Sequence, residues 1–369
     1  MSFRVQITNY RILQSVDFNF EGVCLIVGPN GCGKTTLLKA IELLRNTFLE
    51  GFGKALTLSG GASGFTHFNS LPETPTKLAV ETANLRWELA PIVNSKGAVY
   101  PVPEKLIQGD SIQFAIDLGQ TQFKYGPYEL VVKEQMSALR LIDELLPTNG
   151  FESLTQPLKH YYHYGHYHLG TLLHSGSHIE SENGLRSNGQ NAFSVLRNWL
   201  ESQSHFERYE FVIDVLQEMF PFFFNDLEFQ SAGETVFLNI ALPSEKLVPI
   251  YLASHGFLNA LLHLVAVCSV PDGGILGIDE PEHCLHPYAI RTLIEALRDR
   301  AQEHHLTVLL ATHSPFILNE FKEEPHRVYV MEENQPEQII SLDKLKEPNW
   351  IKQFKLGDLY GKEFARMGD

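Results

Sequence analysis

A glycine-rich loop between an apolar run and a helical segment constrains this chain more than any other part of its sequence. Residues 23–27 (VCLIV) form a short apolar run, typical of a strand buried on both faces. The next eight residues, GPNGCGKT, match the phosphate-binding pattern G-x-x-x-x-G-K-[ST] at each fixed position, and residues 37–44 continue with helical periodicity. A strand, a glycine loop and a helix in this order predict an α/β fold with a phosphate-binding loop.

The residue types in this loop predict how a nucleoside triphosphate is held. Glycines let backbone N–H groups curl around phosphate oxygens, and the helix N-terminus adds positive potential. Lys34 is expected to reach the β- and γ-phosphates, and the hydroxyl of Thr35 to ligate Mg²⁺. The predicted nucleotide-binding residues are Gly28, Pro29, Asn30, Gly31, Cys32, Gly33, Lys34, Thr35 and Thr36.

Two later apolar runs end in residues that suit phosphate hydrolysis. Residues 275–280 (ILGIDE) predict a buried strand that ends in Asp279, a ligand for Mg²⁺, and Glu280, a general base that polarises the attacking water. Residues 306–311 predict the next buried strand, and His313 follows its end. Its imidazole could donate to the γ-phosphate, although a satisfied strand-end histidine is the alternative interpretation.

The tripeptide Ser254-His255-Gly256 stands before an apolar helix predicted at 256–270. Ser254 is a suitable N-cap, so a capping role is one interpretation. The other is an anion site formed by Ser254 and the Gly256 backbone, which would contact a nucleotide bound on a second subunit.

The patterning along the chain predicts a split core. Residues 1–50 and 225–369 are assigned to the ATPase core, 51–134 to an inserted antiparallel β region that opens with a flexible excursion, and 135–224 to a helical lobe. A His/Tyr-rich loop interrupts that lobe at 160–188, and a short helix is expected near Ile351. For the stretch from His160 to His178, a mobile partner-facing loop is preferred to a zinc site, and its role stays open.

Composition narrows the classes of protein. The 369 residues carry a net charge of −15, which argues against a general nucleic-acid coat protein. The longest apolar stretch, 257–270, is too short to span a bilayer, and the first residues lack an apolar export signal. Four scattered cysteines form no CxxC pair, so a cytoplasmic location without membrane association is expected.

These motifs, together with Asn9-Tyr10-Arg11 and the DEPE sequence at 279–282, resemble the ABC-type ATPase heads of the RecF/SMC/OLD group. More narrowly they resemble the stand-alone OLD-like ATPases of bacterial anti-phage defence systems, of the PtuA and AriA type. The resemblance implies an α/β fold: an ABC-type P-loop head with a mixed sheet core, an inserted antiparallel sheet and a helical lobe.

The resemblance also implies roles for individual residues. Glu280 and His313 are the catalytic carboxylate and the switch histidine, Asp279 holds the metal, and Arg11 contacts the nucleotide. Ser254, His255 and Gly256 match the signature motif that closes the ATP site of the partner subunit. Phe257 follows them where a polar residue is usual, and the glutamine that such heads place after the first helix is not assigned.

The implied function is Mg²⁺-dependent ATP hydrolysis by a homodimer or higher homo-oligomer. Such a protein would act as a sensor or scaffold for a separate effector, a nuclease or toxin, in anti-phage defence. Two alternatives stay open: a RecF/SMC-like repair head that acts on DNA, and an ABC transporter ATPase. The long insertion between the phosphate loop and Ser254 disfavours the transporter.

Overall fold

The computed structural model describes residues 3–71, 74–133, 135–146, 148–332, 338–345 and 356–357. The strands, numbered along the chain, are β1 (Phe3–Tyr10), β2 (Leu13–Phe20), β3 (Val23–Val27), β4 (Lys77–Glu81), β5 (Leu85–Leu89), β6 (Val93–Asn94), β7 (Gly97–Ala98), β8 (Glu104–Gln108), β9 (Ser111–Ile116), β10 (Gln122–Tyr125), β11 (Tyr128–Val131), β12 (Tyr161–Tyr164), β13 (Ser177–His178), β14 (Asp226–Ala232), β15 (Thr235–Ala241), β16 (Leu247–Pro249), β17 (Ile275–Asp279), β18 (Thr307–Thr312), β19 (Val328–Met331) and β20 (Ile339–Ser341). The α-helices are α1 (Lys34–Glu50), α2 (Phe52–Leu58), α3 (Ala138–Leu145), α4 (Glu152–Lys159), α5 (Leu169–Ser175), α6 (Ala192–Glu201), α7 (Phe206–Met219), α8 (His255–Ser269), α9 (Pro287–Glu303), α10 (Pro315–Glu320) and α11 (Leu342–Leu345). Among these residues, no helix combines the length and the apolar character that crossing a bilayer requires.

The central sheet has the strand order β12-β17-β18-β3-β19-β20. The strands from β12 to β19 pair in parallel, and β20 is antiparallel to β19. Every residue of β3, β17 and β18 is buried, which explains why these strands are continuous apolar runs rather than alternating ones. Because the strands are parallel, the residues that follow β3, β17 and β18 emerge at one edge of the sheet.

Helices cover both faces of this sheet. The period of two along β3 sends Cys24 and Ile26 into the apolar cluster that contains α1, and Val23, Leu25 and Val27 into the cluster that contains α8 and α9. The mixed α/β core predicted from the sequence is confirmed.

A second, antiparallel sheet has the order β2-β1-β4-β5-β8-β9. The predicted antiparallel region is present, but β1 and β2 belong to the same sheet as the inserted strands. Pairing of β1 with β4, from Thr8 opposite Lys77 to Arg4 opposite Glu81, makes the sheet continuous. The domain boundary assigned at residue 50 therefore does not coincide with a boundary between sheets. The sequence could not show this, because pairing between strands some 70 positions apart leaves no local pattern.

Two predicted irregular segments contain regular structure. Residues 161–164, assigned to a loop, form β12 and pair in parallel with β17, and residues 52–58 of the predicted excursion form α2. The loop prediction at 161–164 was wrong because histidines and tyrosines in succession look polar. Tyr161 and Tyr164 are in fact fully buried and donate hydrogen bonds to the carbonyls of Leu38 and Leu185. The helix predicted near Ile351 lies outside the described residues.

Candidate nucleotide site

The glycine loop joins the end of β3 to the start of α1, and two of its glycines are required by close packing. A Cβ on Gly28 would lie 2.2 Å from the carbonyl oxygen of Met331. Gly33 has φ +109°, and a Cβ there would lie 2.6 Å from Leu13 Cδ2. Larger residues at either position would displace the loop, so its tight course depends on glycine.

Lys34 lies across the loop that precedes it. Its side chain is buried, and Nζ donates hydrogen bonds to the carbonyl oxygens of Gly28 at 2.9 Å and Pro29 at 3.1 Å. Nζ also lies 3.5 Å from Nδ1 of His313. Burial lowers the pKa of Lys34, and the nearby Asp279 opposes that shift. The ammonium is thus held by neutral carbonyl oxygens of the loop. Charged phosphate oxygens bound in the same loop would be stronger hydrogen-bond acceptors.

Thr35 and Asp279 bring two oxygen ligands together from different elements. Thr35 Oγ1, in the first turn of α1, donates to Oδ2 of Asp279 at the end of β17, at 2.5 Å. Hydroxyl and carboxylate oxygens are the ligands that Mg²⁺ prefers. This pair therefore fits the metal that the sequence predicted, and the two residues would hold it together with phosphate oxygens and water.

Glu280 and His313 face each other beside this pair. Glu280 has φ +53°, unusual for a non-glycine residue, and its N–H donates to the carbonyl of Ala311 at 2.8 Å. Its half-exposed carboxylate has Oε1 4.0 Å from Nε2 of His313. Burial, with a contribution from Lys34, lowers the pKa of His313, so its imidazole is neutral at physiological pH.

Glu282 is part of the site, although no sequence pattern indicated a role for it. Its Oε1 accepts hydrogen bonds from Thr312 Oγ1 at 2.6 Å and from the backbone N–H of His313 at 3.2 Å. Glu282 belongs to the DEPE sequence at 279–282. However, its distance of two residues from Glu280 does not by itself indicate a function. Only the position of β18 beside β17 shows what it binds.

Ser254 caps α8, and Gly256 packs against the segment after β17. Ser254 Oγ accepts a hydrogen bond from the Phe257 N–H at 3.2 Å. A Cβ on Gly256 would lie 2.4 Å from the carbonyl oxygen of Cys284. Ser254 and His255 are exposed and Gly256 is buried. The capping interpretation is therefore correct for Ser254, and contact with a second subunit stays a prediction.

Arg11 lies on the turn between β1 and β2. Its guanidinium donates to the carbonyl of Ser59 and lies 5.4 Å from the centre of the Tyr10 ring. The next two residues, Ile12 and Leu13, lie close to Gly33 of the glycine loop. Arg11 therefore lies near the glycine loop, because the two residues that follow it pack against that loop. Its contact with a nucleotide remains a prediction.

The histidines between His160 and His178 do not form a metal cluster in the described residues. Among all the described residues, three side chains bring potential metal-ligand atoms close together: Glu207, Glu303 and His304. None of the three belongs to the segment from His160 to His178. Arg300 forms an ion pair with Glu207 in that group, which supplies the positive charge there.

Comparison with known proteins identifies the class. The family described as "AAA domain, putative AbiEii toxin, Type IV TA system" matches residues 23–319, and the chain belongs to this family. Over 41 residues the chain is 49% identical to the OLD nuclease of Thermus scotoductus, a match that covers 11% of this chain and 8% of that nuclease.

A solved structure shows the same class of fold. A crystal structure of an SMC head bound to the C-winged helix domain of ScpA has a TM-score of 0.54 at 12% identity, covering 93% of this chain and 99% of that one. The SMC head domain from Thermotoga maritima has a TM-score of 0.49 at 11% identity, covering 92% and 97%. The chain thus has the fold of an SMC-type head and shares a short stretch of sequence with an OLD nuclease, and the predicted resemblance and fold class are confirmed.

Proposed function

We propose that this chain binds ATP with Mg²⁺ and hydrolyses it to ADP and phosphate. One observation carries the proposal: side chains predicted separately from three strand ends converge at one edge of the central sheet. Lys34 and Thr35 follow β3, Asp279 and Glu280 stand at the end of β17, and His313 follows β18. A phosphate loop with its lysine, a Thr–Asp pair for Mg²⁺ and a residue that orients the attacking water are the parts that P-loop enzymes use for phosphoryl transfer.

Each side chain has a distinct task in this reaction. Lys34 exchanges the carbonyls of Gly28 and Pro29 for phosphate oxygens. Thr35 and Asp279 would hold Mg²⁺, which would supply charge neutralisation at the phosphates. Glu280 orients water and accepts its proton. A neutral His313 keeps one ring N–H available to a phosphate oxygen while it stays beside Glu280.

The test is ATP turnover by the purified chain with and without Mg²⁺, compared with Glu280→Gln. We expect the variant to lose about 10²–10⁴-fold in turnover, the usual contribution of a general base, while it retains ATP binding. Equal turnover by wild type and a folded Glu280→Gln chain would remove Glu280 from the chemistry. Absence of ATP binding by the wild-type chain would overturn the proposal as a whole.

The proposal includes a dimer in which Ser254 and Gly256 close the site of the second subunit. Three neighbouring features support it: the exposed Ser254 at the start of α8, and the side chains of Tyr251 and Leu252, which are 58% and 65% exposed. Apolar groups of this size beside a polar helix terminus suit a surface that another chain covers.

Control of a separate effector in anti-phage defence is proposed from family membership and the resemblance to OLD-like ATPases. We favour it over action on DNA, because the chain carries a net charge of −15 and the two arginines on the polar side of the antiparallel sheet are paired with acidic residues. Arg4 bonds Asp17, and Arg86 bonds Glu81 and Glu88. Co-purification with the products of neighbouring genes tests the proposal, and length-dependent stimulation of ATPase activity by DNA would favour the alternative.

A further inference from the structure

The histidine-rich segment that the proposed reaction leaves unused reaches the nucleotide site through β12. In the parallel pairing of β12 with β17, His163 lies opposite Gly277 and Tyr164 opposite Ile278. The next residue, Gly165, lies beside Asp279. A Cβ built on Gly165 would be 3.6 Å from the Cβ of Asp279. The end of β12 therefore lies at the same edge of the sheet as the predicted metal ligands.

The His163 side chain faces α1, as Asp279 does. Two residues earlier, Tyr161 on the same face of β12 donates a hydrogen bond to Leu38 of α1 at 2.8 Å. The Nδ1 atom of His163 lies 3.4 Å from Oε2 of Glu42, also on α1. Its Nε2 lies 3.8 Å from the Cβ position of Gly165, and the Cβ of Asp279 lies 3.6 Å from that same position. The ring is thus held between a carboxylate and the metal-site edge.

His163 has an unsatisfied polar atom despite deep burial. Its side chain is 6% exposed, and Nε2 has no hydrogen-bond partner among the described residues. His166 and His168, on the same segment, are exposed. Buried polar atoms are nearly always paired, so an unpaired ring nitrogen beside a ligand site points to a partner that arrives with the ligand.

We propose that His163 is a positioning residue of the Mg²⁺ site, an inference that rests on the proposed ATP function. With Nδ1–H donated to Glu42, the Nε2 lone pair accepts a hydrogen bond from water bound at the Thr35–Asp279 site. Mg²⁺ retains several of its waters in proteins, and a histidine whose other nitrogen is bound by a carboxylate is well oriented to accept from them. His163 then tunes metal affinity without being a ligand.

The experiment measures the Mg²⁺ dependence of nucleotide binding, a readout that does not require turnover. Thermal stabilisation by a non-hydrolysable ATP analogue is followed while Mg²⁺ is titrated, for wild type, His163→Leu, His163→Gln and the matched control His166→Leu. We expect His163→Leu to need about 10-fold or more Mg²⁺ for half-maximal stabilisation, the usual effect of removing an outer-shell partner. His163→Gln, which keeps an acceptor, should recover most of the loss, and His166→Leu should match wild type.

Binding of the analogue in EDTA should be the same in all four proteins, because the phosphate loop is intact in each. A folded His163→Leu chain with the Mg²⁺ dependence of wild type would overturn the inference. If His163→Leu does not fold, Gly165→Val, which fills the space between His163 and Asp279, is expected to raise the Mg²⁺ requirement in its place, and an unchanged requirement there refutes the inference.

Failure of the proposed function would look different. In that case wild type and Lys34→Ala would respond identically to the analogue, with or without Mg²⁺. Failure of the His163 inference alone would leave wild type responsive, Lys34→Ala unresponsive and His163→Leu indistinguishable from wild type.

Discussion

Glu282 and Thr312 join the two strand ends that carry the acidic pair and the histidine. The carboxylate accepts from Thr312 Oγ1 at 2.6 Å and from the His313 N–H at 3.2 Å, so the segment after β17 binds the segment after β18 directly. The Thr312 hydroxyl in turn accepts from the Ser314 N–H at 2.8 Å. Glu280 and His313 therefore stand on two segments that direct hydrogen bonds join.

Glu282→Gln should change how stability depends on pH. Burial raises the pKa of Glu282, so the folded chain binds this proton more readily than the unfolded chain. This difference in pKa stabilises the folded chain. The stabilisation is fully present below the ordinary Glu pKa of about 4.3 and is lost as pH rises through the pKa of Glu282 in the folded chain. The free energy of unfolding of wild type, relative to Glu282→Gln, should therefore fall as pH rises above about 4.3.

Urea unfolding of both proteins at several pH values measures this difference, with Glu218→Gln, an exposed glutamate on α7, as control. A difference that is constant with pH, or that grows as pH rises, would contradict the assignment of Glu282 as a carboxyl group that the fold prefers protonated.

Lys34→Ala should abolish ATP turnover without loss of fold. Hydrogen bonds to charged groups contribute about 1.5–3 kcal/mol, so ATP affinity should fall about 10- to 100-fold or more. The unfolding free energy should stay within about 1 kcal/mol of wild type or rise, because the change removes an ammonium whose burial lowers its pKa. Lys39→Ala, an exposed lysine on the same helix, is the matched control, and normal hydrolysis by folded Lys34→Ala would refute the phosphate-loop assignment.

Ser254→Arg should block ATP hydrolysis in a dimer that shares its sites. The arginine would occupy the space needed by the γ-phosphate of ATP bound to the second subunit. Within its own subunit, the exposed Ser254 only caps α8, so the substitution should disturb the fold little. Loss of the cap alone costs about 1 kcal/mol of stability and leaves turnover unchanged. Full activity of folded Ser254→Arg would mean that Ser254 only caps the helix.

Mixing Lys34→Ala chains with Ser254→Arg chains tests whether the sites are shared. Each is expected to be inactive alone, but a mixed dimer holds one site with an intact phosphate loop from one chain and an intact Ser254 from the other. We expect partial recovery of ATPase activity on mixing, provided that one intact site hydrolyses ATP by itself. No recovery from two separately folded, exchanging proteins would count against composite sites.

Glu104→Gln should destabilise the chain strongly. The Glu104 carboxylate is buried on β8 and accepts four hydrogen bonds at 2.8–2.9 Å, from Trp87 Nε1, Ser137 Oγ and the N–H groups of Ala138 and Leu139. An amide would turn N–H groups toward some of these donors and leave them unpaired, at about 1–3 kcal/mol each. Denaturant unfolding should show a loss of about 2 kcal/mol or more, compared with almost none for Glu129→Gln, an exposed residue on β11.

The parts of the site that were predictable are those with short, local signatures. The glycine loop lies within nine residues, and Asp279 and His313 each follow a continuous apolar run, so neither needs long-range information. Glu282 and His163 were missed as functional residues because each acquires its role from a strand far away in the chain. His163 in particular stands in a run of polar-looking aromatic residues whose burial depends on β17.

The sequence by itself determined the buried strands β3, β17 and β18, the helix α1 and the identities of the residues at the strand ends, because periodicity and loop chemistry act over a few neighbouring positions. Only the tertiary structure decided that β1 and β2 share a sheet with the inserted strands and that β12 lies beside β17. It also placed His163 and Asp279 around Gly165, each within 4 Å of the position that a Cβ there would occupy. The physical reason is that pairing between distant strands is selected by which edges and apolar faces remain to be covered, and that is a property of the whole fold.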